Sequence, residues 1–285
     1  MRTRIISGVI GASLIFPIFW FSDTWVFPIC VALATLISSY EMLRCIGVHK
    51  KYYFSLPVLI FSTGMPIVAR ASQTVEGVNL IFVLLSGVVI FVLYLLGVSL
   101  FSKGDFKLPD AAMVFMTEFY IIGGYTSVVL LRDFGSAGKY IYLLIFLGAW
   151  STDIFAYFVG RAFGRHKLIP EVSPKKTVEG SIGGSVFCVL TLLGYAFVLE
   201  KFFGQQPNYL VIAVIGLVIS VVAQIGDLMM SQIKRNYGIK DFGRIMPGHG
   251  GLLDRFDSGL SVSLILIIAC EMVRGLGGEL FLEVL

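Results

Sequence analysis

The 285-residue sequence predicts an all-α polytopic membrane protein of about nine transmembrane helices with its N-terminus in the cytoplasm. Three observations lead there. Apolar residues fill 57% of the positions and charged residues only 14%, a balance that belongs to chains solvated by lipid rather than water. The apolar residues gather into runs of about 20, the length that crosses a hydrocarbon core roughly 30 Å thick. The basic residues divide unevenly between alternate connecting segments, as the positive-inside rule requires.

In chain order the expected spans are 5–22, 25–44, 54–70, 79–101, 110–131, 140–160, 181–200, 208–233 and 255–274. The first begins MRTRIISGVI in the manner of a secretory signal, but Pro17, Phe19, Trp20 and Phe21 offer no small-residue cleavage site and a second span follows at once. It is therefore kept as a membrane helix. With the N-terminus inside, seventeen of the 22 basic residues fall on cytoplasmic segments, and only Arg70, Arg132, Lys139, Lys201 and Arg274 fall outside. The expected organisation is about five N-terminal helices over residues 1–135, then a C-terminal region over 136–285. That region carries two charged cytoplasmic loops, 161–180 and 234–254.

The net charge of +4 is modest. Nothing in it points to a nucleic acid; the basic excess sits where anionic lipid headgroups lie. Cys30, Cys45, Cys188 and Cys270 form no Cys-x-x-Cys pair and read as small buried hydrophobes rather than zinc ligands.

Within the sixth span Asp153 lies deep in apolar sequence, with Tyr157 and Gly160 at i+4 and i+7 on its face. An acid at that depth is costly enough that function is the default reading. The following loop supplies Arg165, His166, Lys167, Lys175 and Lys176, and Pro174 holds Ser173 extended before the two lysines. Thr177 is placed to cap the seventh span, whose first N–H groups form a ready anion site. Gly180, Gly183 and Gly184 follow it.

The eighth span places Gln224, Asp227 and Ser231 along one face that continues to Lys234 and Arg235. Beyond it, SQIKRNYGIKDFGRIMPGHGGLLDRFD packs eight charged residues into the mouth of an oily chain. Hydrocarbon on either side penalises unpaired ions, so these charges need a ligand, a metal or one another. Gly248, Gly250 and Gly251 around His249 allow a sharp turn whose N–H groups could approach a phosphate. Asp254 and Asp257, three apart at the start of the ninth span, can face one point. Such carboxylates suit a hard cation such as Mg²⁺, which takes one or two protein carboxylates beside substrate phosphates. His249 is expected to donate to a phosphate, since no histidine or cysteine near it would complete a zinc site.

Ser231, Lys234, Arg235, Lys240, Asp241, Pro247, His249, Gly250, Gly251, Asp254, Arg255 and Asp257 together match a pattern: Ser-x-aliphatic-Lys-Arg, Lys-Asp, Pro-x-His-Gly-Gly, Asp-Arg-x-Asp. In this the chain resembles the phosphatidate cytidylyltransferase (CDP-diacylglycerol synthase) family. The likeness extends to 153–164, 173–184 and Gly226-Asp227; it is specific over the C-terminal half and rests on hydropathy in the N-terminal half. It implies that CTP and phosphatidic acid give CDP-diacylglycerol and pyrophosphate, with Mg²⁺, at the cytoplasmic face.

On that resemblance and the spacing, Asp227 and Asp254 are the expected metal ligands, with Asp241 and Asp257 next. Lys175, Lys176, Lys234, Arg235, Lys240 and Arg255 are the expected phosphate-binding residues. Asp153, Ser173, Thr177, Ser231, Gly250 and Gly251 complete the expected substrate contacts, and His249 joins the catalytic set. A second cation of unspecified identity and a homo-oligomer are compatible with the sequence. The rival readings are a CTP-dependent kinase of a polyprenol-type lipid, which would transfer the γ-phosphoryl, and an ion-coupled transporter. The gathering of charge at one face, without paired broken helices in two halves, disfavours the transporter.

Overall fold

The computed structural model describes residues 17–75, 79–246, 248, 250–278 and 280–283. Its helices are α1 (Val26–Ile46), α2 (Tyr52–Thr74), α3 (Leu80–Phe101), α4 (Leu108–Arg132), the single turn α5 (Gly138–Ile141), α6 (Leu143–Phe163), α7 (Val178–Phe203), α8 (Tyr209–Asn236) and α9 (Leu253–Gly275). Among the described residues eight helices are long and apolar enough to cross a membrane, with α5 and α6 counted as one. They follow the expected spans two to nine to within a few residues. The first expected span, 5–22, falls mostly outside the described residues.

The fold is nearly all-α, as expected, and the described residues add four short strands. They form two antiparallel pairs outside the long helices: β1 (Lys167–Ile169) with β2 (Ser173–Thr177), and β3 (Gln205–Pro207) with β4 (Phe281–Glu283).

The chain divides into two compact units, Met1–Val129 with Ile239–Arg255, and Leu130–Gly238 with Phe256–Leu285. The expected C-terminal region, 136–285, includes residues 239–255; in the structure that segment packs with the N-terminal unit.

In the first unit α1 ends at Gly47, whose φ of 89° suits a residue without a Cβ. The amides of Gly47 and Val48 fold back to Arg44 O and Leu43 O, closing the helix. Leu43 and Val48 then join Phe54, Val58, Phe91, Leu95, Phe106, Ala111 and Val114 in a buried core. α2 contains Pro57 and Pro66. Pro57 has no N–H for the carbonyl of Tyr53, four residues back. The Tyr94 hydroxyl, from α3, donates to Tyr53 O at 3.0 Å and so replaces the missing bond. Between α3 and α4, Asp105 accepts from the Tyr53 hydroxyl at 2.6 Å and pairs with Lys51 at 3.0 Å. That hydroxyl, and then Lys51, hold the Asp105 carboxyl below its usual range.

In the second unit α7 packs against α6 and α8, and α6 also meets α8. Glycine makes the α6–α7 approach close. A Cβ on Gly180 would stand 2.6 Å from Ala156 O, and one on Gly184 would stand 2.8 Å from Thr152 O. Two small residues four apart thus let α7 lie backbone to backbone on α6. Thr177 caps α7 as expected, its hydroxyl accepting from Gly180 N–H at 3.1 Å.

Candidate functional site

The polar face expected on α6 lines a cavity of about 300 Å³ in the second unit. Asp153, Tyr157 and Gly160 come to its wall at their i, i+4, i+7 spacing, and Gln224 and Asp227 meet them from α8. The wall between is the start of α7, with Gly180 and Ser181. The β1–β2 hairpin returns the chain from α6 to α7 and brings Lys175, Lys176 and Thr177 to the same space.

Glu179 anchors that hairpin. Its carboxylate accepts the backbone N–H groups of Arg165 and His166, at 3.1 and 3.2 Å, and stands 2.6 Å from His166 Nδ1. The Val178 N–H donates to His166 O, and the Gly180 N–H is taken by Thr177. These two amides of the expected anion site are therefore engaged within the protein.

The cavity holds charge of both signs. Lys176 Nζ lies 2.8 Å from Asp227 Oδ2, with each side chain about a quarter exposed. Ser231 Oγ donates to Asp227 Oδ1 at 3.4 Å, and Ser258 Oγ donates to Asp153 Oδ2 at 3.3 Å. Asp257 is buried, accepts from Ser258 N–H at 2.9 Å, and stands within electrostatic reach of Asp227, Lys234 and Asp153. Lys234 is buried as well. Three carboxylates, those of Asp153, Asp227 and Asp257, therefore share this part of the unit with the cationic side chains of Arg161, Lys175, Lys176 and Lys234. Gln224 extends the polar lining into the helices, its amide nitrogen reaching Ser181 O, Ser185 Oγ and Ser220 Oγ.

The first unit contains the second charged loop. Gly248 and Gly250 have φ of 79° and 92°, and Met246 and Gly250 exchange both backbone bonds across the turn. The sharp turn expected of the glycines is present. The Gly250 N–H goes to Met246 O and the Gly251 N–H to Asp254 Oδ2, so these amides serve the loop itself. Asp254 is buried and its Oδ2 also accepts from Phe242 N–H at 2.8 Å. Lys240, Asp241, Arg244 and Arg255 are exposed. Pro247 and His249 lie outside the described residues.

Of the expected residues, Asp153, Lys175, Lys176, Thr177 and Asp227 line one cavity; Ser173, Ser231, Lys234 and Arg235 do not line it. Asp227 and Asp254 belong to different units, and the boundary crosses α9 between Arg255 and Phe256. Among the described residues no three His, Cys, Asp or Glu side chains gather closely enough to hold a metal by themselves. Sequence reasoning missed Glu179, Ser258 and Glu41; the last is an acid in the second expected span, which accepts from Leu252 N–H and Leu253 N–H. The rule that singled out Asp153 would have found Glu41 as well.

A model of the cytidylyltransferase family matches residues 2–273. The chain is similar to a protein named phosphatidate cytidylyltransferase from Staphylococcus epidermidis, 34% identical over 94% of this chain and 98% of the relative. Proteins of the same name from Staphylococcus aureus and Staphylococcus saprophyticus are 33% and 31% identical over the same shares.

Proposed function

The chain belongs to the cytidylyltransferase family, and we propose that it transfers CMP from CTP to phosphatidate, giving CDP-diacylglycerol and pyrophosphate, with its active site on the cytoplasmic face. It is an integral membrane nucleotidyltransferase. The observation that carries the site assignment is the cavity in the second unit, where Lys175 and Lys176 meet Asp153 and Asp227 among membrane-length helices. A two-tailed lipid can keep its acyl chains in hydrocarbon there while its headgroup meets a soluble nucleotide.

In the reaction a phosphate oxygen of phosphatidate bonds to the α-phosphorus of CTP. The bond from that phosphorus to the bridging oxygen of the β-phosphate breaks, and pyrophosphate leaves with the electron pair. Both reactants are anions, so the protein's work is alignment and charge neutralisation. Lys175 and Lys176 bind phosphate oxygens at the cavity, with Lys234, Arg235, Lys240 and Arg255 as further phosphate-binding candidates. The attacking oxygen is already ionised, and no general base is required.

The donor set fits a hard divalent cation. It is made of carboxylate oxygens, and the ammonium of Lys176 on Asp227 marks a point where positive charge is favoured. Asp227 is the first choice for holding Mg²⁺ and Asp254 the second, each on its setting within its own unit, with Asp241 and Asp257 next. Bound there, Mg²⁺ would offset the charge of the triphosphate and make its α-phosphorus more electrophilic.

Labelled CTP tests the reading. With detergent-purified protein and phosphatidate, α-phosphorus label should enter the lipid and γ-phosphorus label should leave as pyrophosphate. Label from the γ position in the lipid would establish the rival kinase chemistry instead.

A further inference from the structure

We propose that Glu41 is a positioning residue for this reaction, acting through Asp254 by fixing the backbone of Leu252 and Leu253 that leads into it. The proposal rests on the reading that the loop belongs to the active site, and every contact it uses lies within the first unit.

Glu41 sits in α1 with 2% of its surface exposed. A carboxylate buried in a membrane helix is costly unless its oxygens are bonded. Both are: Oε1 accepts from Leu252 N–H at 3.1 Å and Oε2 from Leu253 N–H at 2.9 Å. These amides open α9, and the first N–H groups of a helix have no partner within it. Leu252 precedes the helix where a serine, threonine or aspartate would ordinarily supply the cap. Glu41 supplies it from another helix, 211 residues earlier in the chain.

Asp254 takes the neighbouring amide, Gly251 N–H at 3.0 Å, together with Phe242 N–H. Two carboxylates thus hold three consecutive N–H groups, those of Gly251, Leu252 and Leu253. The backbone beside them is shaped to fit. A Cβ on Gly251 would collide with the Glu41 carboxylate and meets no other neighbour as close, and one on Gly243 would strike the same group. Without Glu41 the amides of Leu252 and Leu253 would lose their side-chain acceptor, and the backbone on which Asp254 is carried would be held only by Asp254's own bonds to Phe242 and Gly251.

The test uses full-length protein in detergent, with Glu41→Ala, Glu41→Gln, Gly251→Ala and the Glu41→Ala/Gly251→Ala double variant. Hydrogen exchange is followed by residue, and turnover is measured on the same samples. Glu41→Ala should speed exchange at Leu252 and Leu253 by about tenfold or more while leaving the hairpin 167–177 unchanged. It should lower kcat by about tenfold or more, with KM for phosphatidate shifting less than about threefold, because orientation rather than lipid binding is lost. Glu41→Gln keeps one acceptor oxygen and should fall between; being nearly isosteric, it also carries the test should the alanine variant fail to fold. Gly251→Ala should impair the parent protein yet add nothing to Glu41→Ala, since the collision is with the side chain already removed.

Unchanged exchange at Leu252 and Leu253 in both Glu41 variants would overturn the proposal, as would full additivity of Gly251→Ala. Faster exchange with undiminished turnover would uphold the grip of Glu41 on the loop and overturn the loop's place in the active site.

Discussion

Lys176 Nζ stands 2.8 Å from Asp227 Oδ2, so the strand residue proposed to bind phosphate is paired with the helix residue proposed to hold the cation. The pairing makes the two roles compete. Lys176→Met keeps the aliphatic stem and removes the ammonium. It should lower the Mg²⁺ concentration for half-maximal activity by about threefold to tenfold while raising KM for CTP by about tenfold. A Mg²⁺ titration at several CTP concentrations measures both; an unchanged Mg²⁺ requirement would show that Lys176 does not compete for Asp227.

Asp227→Asn and Asp254→Asn retain size and one acceptor oxygen but lose the charge a divalent cation needs. Each should reduce turnover by about a thousandfold at any Mg²⁺ concentration, several kcal/mol of transition-state stabilisation. Excess chelator should abolish the parent activity. Thermal unfolding on the same samples separates this from damage to the fold: the bonds of Asp254 to Phe242 and Gly251 put about 1–3 kcal/mol at stake there. Near-normal turnover in both variants would move the metal to Asp241 and Asp257.

The charge split predicts sidedness. Single cysteines introduced near Lys175 and near Gly248 should react with an impermeant reagent from the cytoplasmic side, and one near Lys201 from the other. Reaction of the two charged loops from opposite sides would separate them into different functions.

Two glycines of α7 should respond in opposite ways to the same change. Gly184→Ala drives a methyl into Thr152 O and should destabilise the protein by about 1–3 kcal/mol. Gly194 has no atom within 4 Å of its would-be Cβ, so Gly194→Ala should be neutral or stabilise by up to about 1 kcal/mol. Melting temperatures in one detergent compare them; equal losses would contradict the backbone-to-backbone packing of α6 on α7.

Tyr94→Phe removes the donor that serves Tyr53 O, and should cost about 1–3 kcal/mol. In a Pro57→Ala background the restored N–H can take that carbonyl, and the same change should then cost little. Equal costs in the two backgrounds would mean that the hydroxyl acts elsewhere.

Much of the fold was legible because lipid imposes a length on every span, and α1 to α9 accordingly start and stop near the positions that hydropathy marks. Short-range chemistry was legible for the same reason that it is local: Thr177 caps α7, and Gly248 and Gly250 make the turn. Partnerships across the chain were not. Nothing near Asp227 in sequence names Lys176, and nothing near Leu252 names Glu41. The β1–β2 hairpin went unseen because its strands, Lys-Leu-Ile and Ser-Pro-Lys-Lys-Thr, carry the lysines of a polar loop rather than the alternating pattern of a half-buried strand. Of the amides expected near phosphate, those of Val178, Gly180, Gly250 and Gly251 are bonded within the protein, since a sequence shows which N–H groups a helix or turn leaves over but not which acceptor arrives to take them.

The pairing of β3 with β4 ties the end of the second unit to the turn that follows α7. The cavity opens at the other end of that helix, beside Gly180 and Ser181. The 26 residues of α7 make a rod about 39 Å long between the two. Its far end thus offers a handle for labels: a fluorophore there would stand most of a membrane thickness from the cavity, and energy transfer to a labelled nucleotide would test whether nucleotide arrives there without disturbing it.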